Sequence, residues 1–269
     1  MVVEFLMDKF LKIISFMVLM VGVVLILSPL FVVLYTSFSA GGESGGFTWE
    51  FYRQAWEMGD FVLAFFNSGL VAIAVTFSQI VTSALAGYAL ARLQFQGKNF
   101  ILLLIIATLV IPIQLLVIPI FLILRNAHLI NTYWALILPS AANGFGIFLM
   151  RQYFCTIPLE LEQAAELDGA NRLQVIWHIL LPLAKPAVIT LFLFTFIGEW
   201  NDLFKPLVFT SNPQLKTVQL ALASFQEQFT SNWSLLMAGV VIATIPVILL
   251  FILGQKQFIE GIGTTGLKN

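Results

Sequence analysis

Acidic side chains are scarce in this chain, 14 among 269 residues, yet Glu160, Glu162, Glu166 and Asp168 fall within nine positions. A second polar group, Glu199, Asn201 and Asp202, interrupts an otherwise apolar stretch. Clusters of this kind raise catalytic and phosphate-binding readings, but the patterns those readings need are absent. Gly97-Lys98 is the single Gly-Lys pair and position 92 is Arg, so no G-x-x-x-x-G-K-[ST] loop cradles nucleotide phosphates. H-E-x-x-H and G-x-S-x-G are also missing, so nothing marks an intramembrane hydrolase. His128 and His178 lie too far apart in sequence for a local metal motif, and the single Cys155 has no internal disulfide partner. What remains is recognition: one polar surface that something else touches, and one polar lining inside an apolar body.

That body is not a soluble one. Hydrophobic types make up 59% of the chain and charged types 10%, against about 45–50% and 25% in an ordinary soluble domain. No soluble core of this length hides so much apolar surface, so the excess must face lipid. The net charge of −1 excludes a nucleic-acid footprint, which needs clustered base. A helix crossing a bilayer takes about 20 apolar residues, because its backbone polar groups must be satisfied internally. Six stretches qualify, at 13–35, 61–90, 100–124, 133–150, 187–209 and 235–253. The expected fold class is therefore all-α, a polytopic membrane protein with six transmembrane helices. Pro112 and Pro119 fall inside the third stretch and Pro246 inside the sixth; each removes a backbone donor and is expected to kink its helix.

The first stretch runs 23 residues without a charge. A signal-peptide core is roughly 7–15 residues, so we read an uncleaved anchor. With the N-terminus inside, nine of the 13 Lys and Arg lie on the inner side, and Arg53, Arg125, Lys205 and Lys216 lie outside or at span ends. By the positive-inside rule both termini are cytoplasmic. The acidic block then lies inside, between the fourth and fifth helices. We expect one transmembrane domain over 1–269, its core at 61–258, with a cytoplasmic loop at 155–182. On the outer side, 39–46 reads as a flexible linker and 47–57, with Trp49, Phe51, Tyr52 and Trp56, as an interfacial helix. The 212–233 loop reads either as a reach toward a partner or as a lid on the bundle.

Within the acidic block, Pro158 suits the first turn of a helix. Glu160 and Glu162 follow where the helix dipole favours negative charge. Ala164 and Ala165 add helix propensity with almost no bulk, and Gly169 is the usual residue for a left-handed helix end. A second helix is expected through "NRLQVIWHILL", stopping at Pro182. A first helix of about 10–12 residues is marginal alone in water, and Glu162 with Glu166 at i,i+4 weakens it by roughly 0.2–0.5 kcal/mol. It must be held by docking. Leu159, Leu161, Leu167 and the paired alanines offer a narrow, knobby surface that suits a groove, either on a partner or on the chain's own bundle.

Glu199 lies 13 residues beyond Pro186, about 20 Å along a helix and past the midplane. Facing lipid it would cost about 2.5–3.5 kcal/mol or more, so it is expected to face the bundle or a wet cavity, with Asn201 and Asp202 close by. These three and Asn67 are the candidates for a translocation pathway or gate. The alternative is a satisfied polar network that fixes a helix bend or caps a helix end, and Gln79, Gln114 and Asn143 carry the same two readings. Ser83, Gly87 and Ala91 form a small-residue stripe that permits close helix approach, within the bundle or against a second subunit.

The acidic block resembles the cytoplasmic loop of the membrane subunits of bacterial ABC importers, whose pattern is E-A-A, three residues, G, nine residues, I-x-L-P. Here Gln163-Ala164-Ala165, Gly169, Ile179, Leu181 and Pro182 stand at those spacings. The family's leading Glu is Gln163 in this chain, with Glu162 beside it. "FFNSGLVA" (65–72), "AGYALARLQFQGK" (86–98), "LINTYWALILP" (129–139), "EWNDLFKPL" (199–207) and "NWSLLMAGVVIATIPVILLF" (232–251) are similar to the maltose-type G subunits of the carbohydrate branch. So is the tail "QFIEGIGTTGLK" (257–268), and the likeness covers nearly the whole chain.

The resemblance implies a type I ABC importer permease in the bacterial inner membrane, moving a sugar or sugar-like solute. It implies a second permease, two ATPase subunits and an extracytoplasmic solute-binding protein. ATP and Mg would be bound by the ATPases, and no cofactor by this chain. Glu162, Gln163, Ala164, Ala165, Leu167, Asp168 and Gly169 are implied to couple the loop helix to an ATPase groove, and the tail at 261–266 to approach the ATPase pair. An ion-coupled secondary transporter is the alternative. It is expected to show repeats with discontinuous helices meeting at the midplane; no internal repeat is evident in this sequence, and such a carrier needs no docking loop. A plain membrane anchor would not require Glu199 and Asn201 deep in a helix.

Overall fold

A computed structural model describes residues 2–39, 46–228 and 232–266, with side chains for 9–39, 46–227 and 232–257. The linker positions 40–45, part of the 212–233 loop and the side chains of the glycine-containing tail lie outside the described residues. Apart from one bridge pairing Ser39 with Phe47, the regular structure described is helical. In chain order the helices are α1 (Val2–Phe38), α2 (Glu50–Met58), α3 (Phe61–Arg92), α4 (Lys98–Thr108), α5 (Val117–Asn126), α6 (Tyr133–Ile137) and α7 (Gly144–Phe154). Then follow α8 (Glu160–Leu167), α9 (Arg172–Val175), α10 (Leu181–Leu183), α11 (Lys185–Trp200), α12 (Phe204–Phe209), α13 (Val218–Gln228) and α14 (Trp233–Gly266). Short 3-10 turns occupy Ile113–Leu116, Leu138–Ser140 and Pro213–Leu215, and a π turn occupies Ile176–Leu180.

The chain divides into two compact units: the part up to Gly59 with Leu222–Thr244, and Asp60–Ala221 with the part from Ile245 onward. In the first, nearly all the large apolar side chains of α1 from Phe10 to Tyr35 are exposed, as suits a lipid-facing rod. The expected interfacial helix is α2. Its Tyr52 ring lies tilted against Phe38 with centroids 4.9 Å apart and shares a 2.6 Å hydrogen bond with Ser37.

Lys9–Phe38, Phe61–Arg92 and Trp233–Gln257 are each long and apolar enough to cross a membrane unbroken. Three bent pairs also qualify: Lys98–Thr108 with Ile113–Asn126 at 93°, Tyr133–Ser140 with Gly144–Phe154 at 45°, and Arg172–Leu183 with Lys185–Trp200 at 83°. Counting each pair as one span gives six. The breaks are sharper than expected from sequence, and the first two have a local cause. Pro112 takes extended backbone, φ −63° and ψ 135°, and disfavours helix at Ile111, so the third stretch is broken rather than kinked. Asn143 is extended and caps α7, accepting the Phe145 amide at 2.7 Å. The expected helix at 187–209 stops at Trp200, because Pro206 in a continuous helix would clash with the Asp202 carbonyl. Asn201 and Asp202 therefore sit at a break, not deep in a helix.

Pro182 does not stop the second helix of the acidic block, which runs on through α10 to Leu183. The wide turn before it, closed by the Leu181 amide on the Ile176 carbonyl, shifts the register that the proline ring would otherwise oppose. The chain then bends at Ala184. Pro29 and Pro246 lie within α1 and α14, which continue past them.

In the second unit α3 is the central rod, packing chiefly on α7 and α11. The small-residue stripe lies within this chain: Ser83 and Gly87 are buried against α7. A Cβ on Gly87 would stand 2.9 Å from the Arg151 amide nitrogen and 3.0 Å from the Met150 Cβ. Nothing lies within 4 Å of a Cβ at Gly69 on the same helix. We expect Gly87→Val to destabilise the purified protein by about 1–3 kcal/mol through overpacking, seen as a lower Tm by fluorescence-monitored unfolding in detergent, with Gly69→Ala close to unaltered protein.

Candidate functional site

The acidic block folds as a hook. α8 is eight residues long and begins one residue past Leu159, so Pro158 precedes the helix rather than forming its first turn. It ends in a left-handed Gly169 at φ +86°, where the Ala170 amide reaches the Ala165 carbonyl at 2.9 Å, a Schellman closure. The next helix starts with a capping box. Asn171 Oδ1 accepts the Gln174 amide at 3.0 Å and Gln174 Oε1 accepts the Asn171 amide at 2.8 Å.

The hook has two faces. Gln163, Ala164, Leu167 and Asp168 are exposed, Leu167 at 90% of its surface, and Leu159 and Leu161 are exposed too. Glu162 alone is buried, at 4%. It accepts a hydrogen bond from Arg92 at the end of α3, and the two side chains form a nearly dry ion pair. Ala165 packs partly onto the cluster that includes Phe154, Val175 and Leu180.

A second site lies farther along α3. Three helix breaks, at 109–112, 141–143 and 201–203, contribute Leu109, Ile111, Ala142, Asn143 and Asp202 to the wall of one cavity of about 520 Å³. That volume lies in the range of about 300–1,000 Å³ typical of small-molecule sites. Gln79, Thr108, Gln114, Ser140, Glu199 and Lys205 supply the rest of its polar lining. Gln79 donates to the Ser140 carbonyl at 2.7 Å and accepts from Thr195 Oγ1 at 2.7 Å. The Lys205 ammonium meets Glu199 at 2.6 Å, Ser140 Oγ at 2.6 Å and Asp202 at 3.2 Å. Those three acceptors match the three donors an ammonium has.

Over residues 79–262, well over half its length, the chain matches the family described as binding-protein-dependent transport system inner membrane component. It is a member of that family. The sn-glycerol-3-phosphate transport system permease protein UgpE of Yersinia enterocolitica is 31% identical over 264 residues, covering 91% of this chain and 93% of that one. The arabinooligosaccharides transport system permease protein AraQ of Halalkalibacterium halodurans is 34% identical over 204 residues, covering 76% and 73%. A crystal structure of a bacterial ABC transporter involved in import of the acidic polysaccharide alginate superposes with a TM-score of 0.82 at 25% identity, covering 93% of this chain and 97% of that one. The protein is thus an ABC importer permease of the inner membrane, and ATP hydrolysis belongs to separate subunits.

Discontinuous helices, together with internal repeats, are expected of an ion-coupled carrier. This permease has broken helices too, so they do not separate the two classes; family membership does. The pathway candidates divide. Glu199 and Asp202 line the cavity, as do Gln79, Gln114 and Asn143. Asn201 instead accepts from Gln219 at 3.1 Å. Asn67 is fully buried, donating to the Gln214 and Lys216 carbonyls at 2.9 Å each and accepting from Tyr133 at 2.6 Å. It ties α3 to the segment after α12 and to α6, away from the cavity. Sequence reasoning did not anticipate the roles of Lys205 and Arg92, which it counted only as charges for orientation. A lysine in "LFKPLV", three and six residues past two acids, was a readable sign. Arg92 and Glu162, 70 residues apart, gave none.

Removing one partner of a buried charge cluster strands the others and costs about 3–5 kcal/mol, whereas an apolar replacement of a matched pair costs far less. We expect Lys205→Met to lower Tm markedly and Lys205→Met combined with Glu199→Gln to recover part of the loss. A double-mutant cycle on the purified permease checks this; strict additivity of the two changes would show that the charges are not coupled.

Proposed function

We propose that this permease forms, with a second permease, the translocation pathway of an ATP-driven importer for an uncharged sugar or sugar-like solute. An extracytoplasmic binding protein delivers the solute and two ATPase subunits supply the power. The 155–182 loop and both termini face the cytoplasm, and ATP and Mg are held by the ATPases. The observation that carries this reading is the two-faced hook. An eight-residue helix is too short to persist on propensity alone, yet α8 turns Gln163, Ala164 and Leu167 outward. Such a surface is suited to a groove on an ATPase, with Asp168 and Gly169 closing the hook. Glu162, assigned by the resemblance to the same contact, is better read as the hook's internal anchor.

The cavity is the candidate pathway, with Glu199 and Asp202 in its wall. Asn67 and Asn201 are better read as structural ties. Its three charged lining residues sum to −1, and the ammonium already has a partner for each proton. No lysine donor is left for a phosphate, sulfonate or uronate. Hydroxyl groups, in contrast, find acceptors and donors on Gln79, Gln114, Ser140 and Asn143. Among the relatives, an arabinooligosaccharide permease fits this polarity better than a glycerol-3-phosphate permease.

Two outcomes are expected. Gly169→Val forces a β-branched residue into left-handed backbone at a cost of about 1–2 kcal/mol, although nothing lies within 4 Å of its Cβ. Membrane insertion should be unchanged while copurified ATPase and uptake fall at least about tenfold; full copurification with unaltered uptake would sink the docking role. In cells carrying the complete transporter, uncharged oligosaccharides such as arabinotriose should compete for uptake while glycerol 3-phosphate should not, and the reverse order would refute the charge reading.

A further inference from the structure

Arg92 is the last residue of α3. Its Nε donates to Glu162 Oε1 and its Nη2 donates to the Ile157 carbonyl at 2.7 Å. The two acceptors flank Pro158 and Leu159, so one guanidinium grips the chain on both sides of the entry to α8. The planar fork of Arg suits two such acceptors at once, whereas a Lys ammonium is a point charge on a flexible stem. The side chains are 13% and 5% exposed, so the pair is shielded from water and from salt. Besides Glu162, only Ala165 on α8 turns toward the bundle. A methyl group can slide across a core surface with little change in energy. A buried, charge-assisted pair cannot part without leaving both charges unsolvated, so its two ends move together.

The rest of α3 is equally well tied. Close contact at Gly87 and Gly146 fixes it to α7. Gln79, 13 residues before Arg92 and about 20 Å along the helix, bridges the Ser140 carbonyl and Thr195. Thr82 donates to the Ala141 carbonyl at 3.2 Å. One end of α3 therefore holds the hook, and its middle holds the walls of the cavity.

We infer that Arg92 is the positioning residue through which displacement of α8 is delivered to α3, and so to the cavity. This rests on α8 being the ATPase-docking helix. The test uses the complete transporter with Cys155→Ser and a bimane label on Gly69→Cys, on α3 where nothing lies within 4 Å of the Cβ. With Arg92 present, ATP and vanadate should shift the bimane emission. Arg92→Met should remove at least about 80% of that shift while the ATPase subunits copurify in unchanged ratio. Arg92→Lys should keep an intermediate response, and Arg92→Glu with Glu162→Arg should restore at least half. Three results overturn the inference: no emission shift with Arg92 present, a full shift in Arg92→Met, or loss of the ATPases from Arg92→Met, which would place the pair in the docking face. Failure of the docking reading itself shows separately, as ATPase subunits that stay bound to Gly169→Val.

Discussion

A polypeptide in hydrocarbon has no water with which to satisfy a freed amide or carbonyl, so a membrane helix may be interrupted only where protein or a wet cavity receives the loose groups. This permease interrupts its helices at 109–112, 141–143 and 201–203 and gathers all three interruptions around one space. Pro112, Asn143 and Pro206 make the breaks local and obligatory. The side chains of Gln79 and Asp202 then take up backbone groups near them: Gln79 donates to the Ser140 carbonyl, and Asp202 Oδ1 accepts the Phe204 and Lys205 amides at 2.9 and 3.3 Å. The polar cavity is thus a structural necessity of the broken helices before it is a route for solute.

Charge is handled by the same economy. Arg92 with Glu162 and Lys205 with Glu199 and Asp202 are two sites among the described residues where ionised groups leave water, and each is matched by an opposite charge. A matched cluster adds little to stability compared with apolar packing, but it tolerates few alternative arrangements. One cluster fixes how the hook meets α3, and the other fixes how α12 folds back against the end of α11. α3 touches both regions, which makes it the element whose position the rest of its unit shares.

Much of this was legible from residue order. Apolar runs marked the spans, because period and length alone decide what a lipid-facing helix looks like. Gly169 marked the end of α8, because only its left-handed backbone lets the chain turn there. Asn171 and Gln174 stand at the spacing of a capping box, and the structure forms it. Continuous apolar composition concealed the breaks, since "ILPSAANGFGIF" is hydrophobic enough to pass for helix while Asn143 quietly takes extended backbone. Asn67 looked like a pathway residue because a polar group in a span must have a purpose; its purpose is three hydrogen bonds to segments that sequence alone does not bring near. Long-range pairs such as Arg92 with Glu162 leave no local pattern at all.

The π turn at Ile176–Leu180 carries one more consequence. Each residue of an α-helix advances the azimuth by about 100°, and a π turn absorbs one residue without lengthening the rod appreciably. The five-residue bulge therefore sets the angular phase between the hook and α11. Shortening the chain there by a single residue would return the turn to ordinary helical pitch, set the Pro182 ring against the turn before it and point the hook to a different quarter of the compass, so the number of residues in this segment is a matter of aim rather than of reach.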